Sequence, residues 1–215
     1  MPEKVKVVSV ETMRKSDAWT IANKIPSKEL MRRAGEGIFA AGKWPAPVGI
    51  VCGKGNNAGD GFVAAACMAG AGIDCGIILL SEDFSEDGRY YYDIAMALGI
   101  PSVKWEKIGP EGLKKYNSIL DCIFGTGFSG EPREPYKSAI EVINGSGAYV
   151  VSADINSGLN GDTGLGETFV RSDLTVSIGD FKPGHFKGLA KEAMKSRVNI
   201  DIGIEIIGGY EYIEI

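Results

Sequence analysis

Short apolar runs that break into glycine and polar residues at their carboxyl ends leave this chain few possible folds. Val48–Cys52 and Cys75–Leu80 are apolar from end to end rather than alternating. A strand with one face in water alternates, whereas a strand covered on both faces does not, so these runs predict a mostly parallel sheet between two layers of helix. Further strands are predicted at Ser102–Trp105, Ser118–Ile123, Ala148–Ala153 and Leu174–Ile178. Helical patterns fall between and before them at Glu11–Lys24, Ser27–Gly42, Gly61–Gly70, Ser85–Leu98 and Tyr136–Asn144. In the second of these, Ser27 reads as the N-cap and Leu30, Met31, Ala34, Ile38 and Phe39 share one face. Strand–helix–strand succession predicts a three-layer α/β/α, Rossmann-like, doubly wound fold, whose ligands sit beyond the carboxyl ends of the strands. Ile204–Ile215 alternates and reads as a terminal strand. At 215 residues, with no linker or internal repeat, residues 1–215 are expected to form a single domain.

Composition narrows the function. The net charge is -5 with no clustered basic stretch, which argues against a nucleic-acid surface. No stretch approaches the roughly 18 consecutive apolar residues of a membrane span, and Met1–Val8 lacks the apolar core of a signal peptide. A cytoplasmic protein is expected. Cys52, Cys67, Cys75 and Cys122 form no C-x-x-C pair and read as buried thiols. With His185 as the only histidine, a zinc site built on several histidines is excluded, and a Ser-His-Asp mechanism would have to run through that one residue. Tyr90–Tyr92 reads as helix packing and interface; the charges around Lys104–Lys107 and Lys114–Lys115 read as solvated surface.

Three loops follow predicted strands and are therefore expected to converge on one edge of the sheet. The first, Gly53–Gly61 (G-K-G-N-N-A-G-D-G), joins a strand to a helix. Backbone N–H groups at a helix start suit a phosphate. The bland alternative is a tight turn capped by Asn57 and Asp60. The loop is neither a Walker loop nor G-x-G-x-x-G, because Ala58 stands where the third glycine would be. The second, Asp121–Gly130 (D-C-I-F-G-T-G-F-S-G), places a carboxylate at the end of an apolar strand, where it needs a positive or donating partner. The third is Ser152–Gly158 (S-A-D-I-N-S-G). Asn57, Asp121 and Ser157 would supply hard oxygen donors with one formal charge, a set better matched to an alkali cation than to a divalent ion. Asp60 and Asp154 are left as carboxylates able to move a proton.

At these residues the chain resembles the YjeF N-terminal family, the NAD(P)HX epimerases. The resemblance rests on N-N-A-G-D-G at Asn56–Gly61, D-C-I-F-G-T-G-F-S-G at Asp121–Gly130 and D-I-N-S-G at Asp154–Gly158. It extends to D-L-T-V and K-P-G within Asp173–Gly184 and to L-M-R-R-A-G at Leu30–Gly35. It implies an isomerase that interconverts the R and S forms of hydrated, damaged NADH or NADPH at C6 of the nicotinamide ring. Repair would be completed by a separate NAD(P)HX dehydratase, whose domain is not expected in this chain. By resemblance, Asn57, Asp121 and Ser157 would hold one K⁺ per subunit. The substrate would be held by Asn56, Asn57, Ala58, Gly59 and Asp60, by Gly125, Thr126, Gly127, Phe128, Ser129, Gly130 and Glu131, and by Asp154. Asp154 and Lys182 would be catalytic, and the family commonly forms homodimers.

C6 of the hydrate is a hemiaminal. Its hydroxyl can leave to give a planar iminium that water attacks on either face; ring opening and reclosure would give the same inversion. Either route needs a proton given and taken, a role expected of Asp154. Three departures from the family pattern stand out. Ala58 replaces a common glycine and is expected to crowd a phosphate or stiffen the turn. Asn156 replaces a proline and is expected to loosen the backbone that aims Ser157. Arg32 replaces a glutamate in an opening helix. Two other readings are a dinucleotide-binding or dimerising module without epimerase activity, and a dehydrogenase with Glu82 or Asp83 on the ribose.

Overall fold

The structure, a computed structural model, describes residues 4–215. In chain order the elements are β1 (Lys4–Val7), α1 (Val10–Asn23), α2 (Ser27–Ala41), β2 (Val48–Cys52), α3 (Asn56–Gly70), β3 (Cys75–Leu79), α4 (Glu86–Ala97), β4 (Ser102–Lys104), α5 (Trp105–Ile108), β5 (Ser118–Cys122), α6 (Tyr136–Gly145), β6 (Tyr149–Ala153), β7 (Leu174–Ile178), α7 (Ala190–Ala193), β8 (Arg197–Ile200) and β9 (Glu211–Glu214). Seven strands form one parallel sheet in the order β4-β3-β2-β5-β6-β7-β8. The chain starts in mid-sheet at β2, winds outward to β4, then returns to β5 beside β2 and winds the other way. The carboxyl ends of β2 and β5 therefore flank the point where the winding reverses, which is where a crevice opens in such sheets.

Alternate strand residues feed two cores. Ile50, Cys52, Ile77, Leu79 and Leu120 pack under Ile38, Phe62, Met68 and Ala95 of α2, α3 and α4. Val51, Ile78, Ile119 and Val150 pack under Trp105, Ala139, Ile140 and Ile143 of α5 and α6. Burial on both faces explains the unbroken apolar runs. Cys52, Cys75 and Cys122 lie buried in the first core and Cys67 is half-buried; all four thiols are free. No helix among the described residues is long and apolar enough to cross a membrane.

Several local expectations change. Helix α3 starts at Asn56, five residues before the predicted start, because N-N-A-G-D-G reads as loop by propensity. Its glycines are demanded by packing. A Cβ on Gly59 would overlap Met31 Sδ of α2, and one on Gly61 would lie 2.8 Å from Cys122 Sγ of β5. Gly53 likewise has no room, since its Cβ would collide with the Ile123 carbonyl oxygen. Of the four glycines in Gly53–Gly61, only Gly55 (φ 85°) has free space around it. The N-cap of α2 is Pro26 rather than Ser27, which is the first helical residue. In α1 the buried positions are Met13, Ser16 and Thr20. Ser16 and Thr20 are polar because their hydroxyls accept from the backbone N–H groups of Ile207 (2.9 Å) and Glu205 (3.0 Å), which ties the carboxyl-terminal segment to the helix. That segment forms a strand only at β9, paired antiparallel with β1. β1 and the edge strand β8 are too polar to register as apolar runs.

Candidate functional site

A cavity of about 1010 Å³ lies at the reversal point, at the upper end of the range usual for ligand sites. One wall is the start of α3, with Gly55, Asn56, Asn57 and Asp60. The loop after β5 contributes Gly125–Ser129 and Glu131, and the loops after β6 and β7 contribute Asp154 and Lys182. Helix α1 closes the cavity with Val10, Met13 and Asp17. Ala58, Gly59 and Gly130 do not line it. The Ala58 methyl faces the first core, so the expected crowding of a ligand does not arise from it. Gly130 (φ 88°) turns the chain behind the loop.

Asp154 reaches the cavity from the loop after β6. Its Oδ1 accepts from Lys182 Nζ at 2.9 Å, and its Oδ2 accepts from the Thr126 N–H (2.7 Å) and hydroxyl (2.8 Å). Burial pushes this carboxyl up, but the Lys182 charge and the Thr126 hydrogen bonds outweigh it, so Asp154 is held below the usual carboxylate range and ionised. The side chain of Lys182 is only 1% exposed, and its ammonium is committed to Asp154 and to the Ile178 carbonyl (2.7 Å). Asp154 is also the one non-glycine residue with positive φ (63°) among the described residues. Aspartate tolerates this left-handed conformation better than most residues, at a cost of about 1–2 kcal/mol.

His185, the chain's lone histidine, holds that geometry. It is fully buried. Its Nδ1 accepts from the Lys182 N–H (3.1 Å), which leaves Nε2 to donate to the Asp154 carbonyl at 2.8 Å. These bonds assign the neutral Nε2–H tautomer. Burial, reinforced by the charge of Lys182, pushes the imidazole down to about 4. No sequence motif marks this role; the only hint was a lone histidine three residues after Lys182.

Asp121, in β5, is buried with four donors. Ser157 Oγ (2.6 Å) and the Ile123 N–H (3.2 Å) reach Oδ1; Ser152 Oγ (2.8 Å) and the Ser157 N–H (3.0 Å) reach Oδ2. Burial outweighs these bonds and pushes its carboxyl up. Ser157 Oγ also accepts from the Phe124 N–H at 2.8 Å, so the second and third loops are stitched together. Asn57 lies across from them, since a Cβ on Gly125 would fall 3.7 Å from Asn57 Cγ and 2.8 Å from Asp154 Oδ2. Both polar atoms of the Asn57 side chain are buried without a hydrogen-bond partner among the described residues. Such an orphaned amide oxygen is a hard, neutral donor of the kind an alkali cation takes. No cluster of three or more His, Cys, Asp or Glu side chains suited to a metal occurs among the described residues.

Asn156 does the opposite of the expected loosening. Its Nδ2 lies 2.9 Å from each of three acceptors (Val170 O, Ser172 Oγ and Ala193 O), and its Oδ1 accepts from Thr175 Oγ1 at 2.6 Å. This buried network pins the backbone that a proline would have stiffened. Arg32 lies on the exposed face of α2, paired with Glu29 and Glu36. The loop from Gly125 is braced by stacked Phe124 and Phe128 rings, 4.2 Å apart, and Glu131 Oε1 accepts from the Glu167 N–H at 3.1 Å. Asp17 lines the cavity and was missed in the sequence, because nothing in helix α1 distinguishes it from solvated acids. Of the two acids proposed for a ribose, Asp83 lines the cavity, whereas Glu82 pairs with Lys104 outside it.

The description "YjeF-related protein N-terminus" belongs to a family profile that matches residues 27–184. The bifunctional NAD(P)H-hydrate repair enzyme Nnr of Archaeoglobus fulgidus is 39% identical over 185 residues, covering 81% of this chain and 37% of that protein. The NAD(P)H-hydrate epimerase of Rhodopirellula baltica is 34% identical over 190 residues, covering 85% of this chain and 78% of that one. This chain thus spans little more than a third of the bifunctional relative. The crystal structure of yeast YNL200c shares the fold with a TM-score of 0.78 at 22% identity, covering 98% of this chain and 100% of that chain.

Proposed function

Because the chain belongs to the YjeF-related protein N-terminus family, we propose that it is an NAD(P)H-hydrate epimerase that inverts C6 of hydrated NADH or NADPH. The observation that carries this reading is the Asp154–Lys182 pair: an ionised carboxylate aimed into a cavity whose opposite wall is the amino terminus of a 15-residue helix. The first N–H groups of α3 have no intrahelical partners and are the natural seat of the diphosphate. That seat orients the dinucleotide so that its damaged ring reaches Asp154. Loss of the C6 hydroxyl, driven by the ring-nitrogen lone pair, gives a planar iminium. Asp154 takes a proton from the water that adds to the other face. Lys182 and Thr126 hold the carboxylate in place and keep it basic enough only to assist, not to stay protonated.

Asn57, Asp121 and Ser157 would hold K⁺, which when bound would offset the buried charge of Asp121 and give the Asn57 amide a partner. The reading extends to a homodimer working with a separate dehydratase. Pure S or pure R hydrate, incubated with the protein with and without potassium and resolved by chiral chromatography, tests it. Convergence of both epimers on one mixture is expected. Unchanged epimers would end the reading, and dinucleotide binding without inversion would favour a binding module.

A further inference from the structure

An ionised Asp154 can accept a proton but has none to give, and departure of hydroxide from C6 needs one. Of the cavity's carboxyls without a side-chain hydrogen bond among the described residues (Asp17, Asp60, Asp83 and Asp87), only Asp60 is buried. Asp60, in the second turn of α3, is 9% exposed, and no hydrogen bond to its side chain contributes to its environment. Gly59 and Gly61 dock the helix against Met31 and Cys122 on either side of it, which fixes the backbone that carries it. Leu30 and Met31 of α2 bring no charge to the cavity. Its charged neighbours are Asp154 and Asp17, both acidic, while the buried ammonium of Lys182 is already committed to Asp154.

Resting on the epimerase reading, we propose that Asp60 is the general acid of the inversion, paired with Asp154 as the general base. The Asp60 carboxyl proton passes to the C6 hydroxyl as the C–O bond breaks. The oxygen leaves with that electron pair as water, and the ring-nitrogen lone pair forms the C=N⁺ bond. Water then adds to the opposite face, its proton passing to Asp154 as the new C–O bond forms and the electrons return to nitrogen. The net change on the protein is one proton moved from Asp60 to Asp154. That exchanged state is already poised to run the inversion in the other direction, and proton transfer through cavity water restores the first state. Burial first, and then the charges of Asp154 and Asp17, hold the Asp60 proton well above the usual carboxylate range, while Asp154 is held below it. Two carboxyls pushed apart in this way are the signature of an acid–base division of labour.

The test is Asp60→Asn in the full chain, assayed on chirally pure hydrate across pH, with dinucleotide binding and thermal melts alongside. The expected result is a loss in kcat of about 10²–10⁴-fold with KM changed less than about threefold. The alkaline limb of the rate profile, where a general acid is lost, disappears in the variant. A stability signature accompanies it. A carboxyl whose folded pKa is raised loses stability as pH rises above its unfolded pKa, so the amide should melt with the wild type near pH 4 and above it at pH 8. A variant within tenfold of wild-type kcat, a loss confined to KM, or inactivity with melting below wild type at pH 8 would each overturn the assignment. If the wild type itself leaves a pure epimer unchanged, the functional reading fails and takes this assignment with it. If the wild type inverts and the variant keeps pace, only the assignment fails.

Discussion

Breaking the Asp154–Lys182 pair from each side and then from both is the most informative perturbation of this site. The Lys182 side chain is 1% exposed and that of Asp154 15%, so neither charge can turn to bulk water if its partner goes. Removing one member of a buried pair typically costs about 3–5 kcal/mol, because the survivor is left uncompensated. In a domain of this size each kcal/mol moves the melting temperature by about 2–4 °C, so Lys182→Met and Asp154→Asn should each melt about 6–20 °C below wild type. Asp154→Asn is therefore no neutral probe of catalysis. In the double variant both charges are gone, while Thr126 can still donate to the amide oxygen that replaces the carboxylate. Its loss should be about 1–2 kcal/mol, and the coupling energy about 3 kcal/mol or more. The sign with pH follows from the lowered Asp154 pKa: the pair contributes fully above the unfolded value near 3.9 and is lost as pH falls through the folded one, so the difference between wild type and Lys182→Met shrinks in acid. Urea unfolding followed by circular dichroism at pH 7 and in acid measures all four proteins, and the epimer assay is run on the double variant. Single-variant losses below about 1 kcal/mol, or losses that simply add, would refute the buried-pair argument. A folded double variant with full activity would refute the role of Asp154.

The remaining predictions probe separate parts of the site. Asn57→Ala should leave stability unchanged or slightly higher in potassium-free buffer, since the amide has no partner to lose, and should abolish any rise in melting temperature that KCl gives over NaCl. Gly125→Ala places a methyl 2.8 Å from Asp154 Oδ2; about 1–3 kcal/mol of stability and at least about 10²-fold of activity should be lost, read by melts and by the epimer assay. His185, buried neutral and pushed down to about 4, binds its proton more readily in the unfolded chain. Stability should therefore fall by about 3 kcal/mol as pH drops from 6.5 to 4, and comparing wild type with His185→Gln across that window isolates this slope from the opposite one of Asp60.

The order of residues was enough to specify the architecture and the edge of the sheet at which the cavity opens. Apolar runs without alternation require two covered faces, and that requirement alone implies a parallel sheet sandwiched by helices; Val48–Cys52 and Leu174–Ile178 are observed at their predicted bounds. Gly-punctuated strand ends located the three loops: Asn57, Asp154 and Lys182 line the cavity, and Ser157 joins Asp121 to the backbone of Phe124 in its wall. What each of these groups is able to do was settled by packing in three dimensions. Helix α3 begins five residues early because docking against α2 and β5 rewards the same glycines that propensity penalises. Asn156 stiffens rather than loosens its loop because its partners come from residues 14 to 37 positions away. Above all, two aspartates that look alike in the chain have their carboxyls pushed in opposite directions, Asp154 below the usual range and Asp60 above it. One meets a buried ammonium and the other meets only carboxylates, and that difference lies in the low-dielectric surroundings that folding assembles, not in the residues themselves.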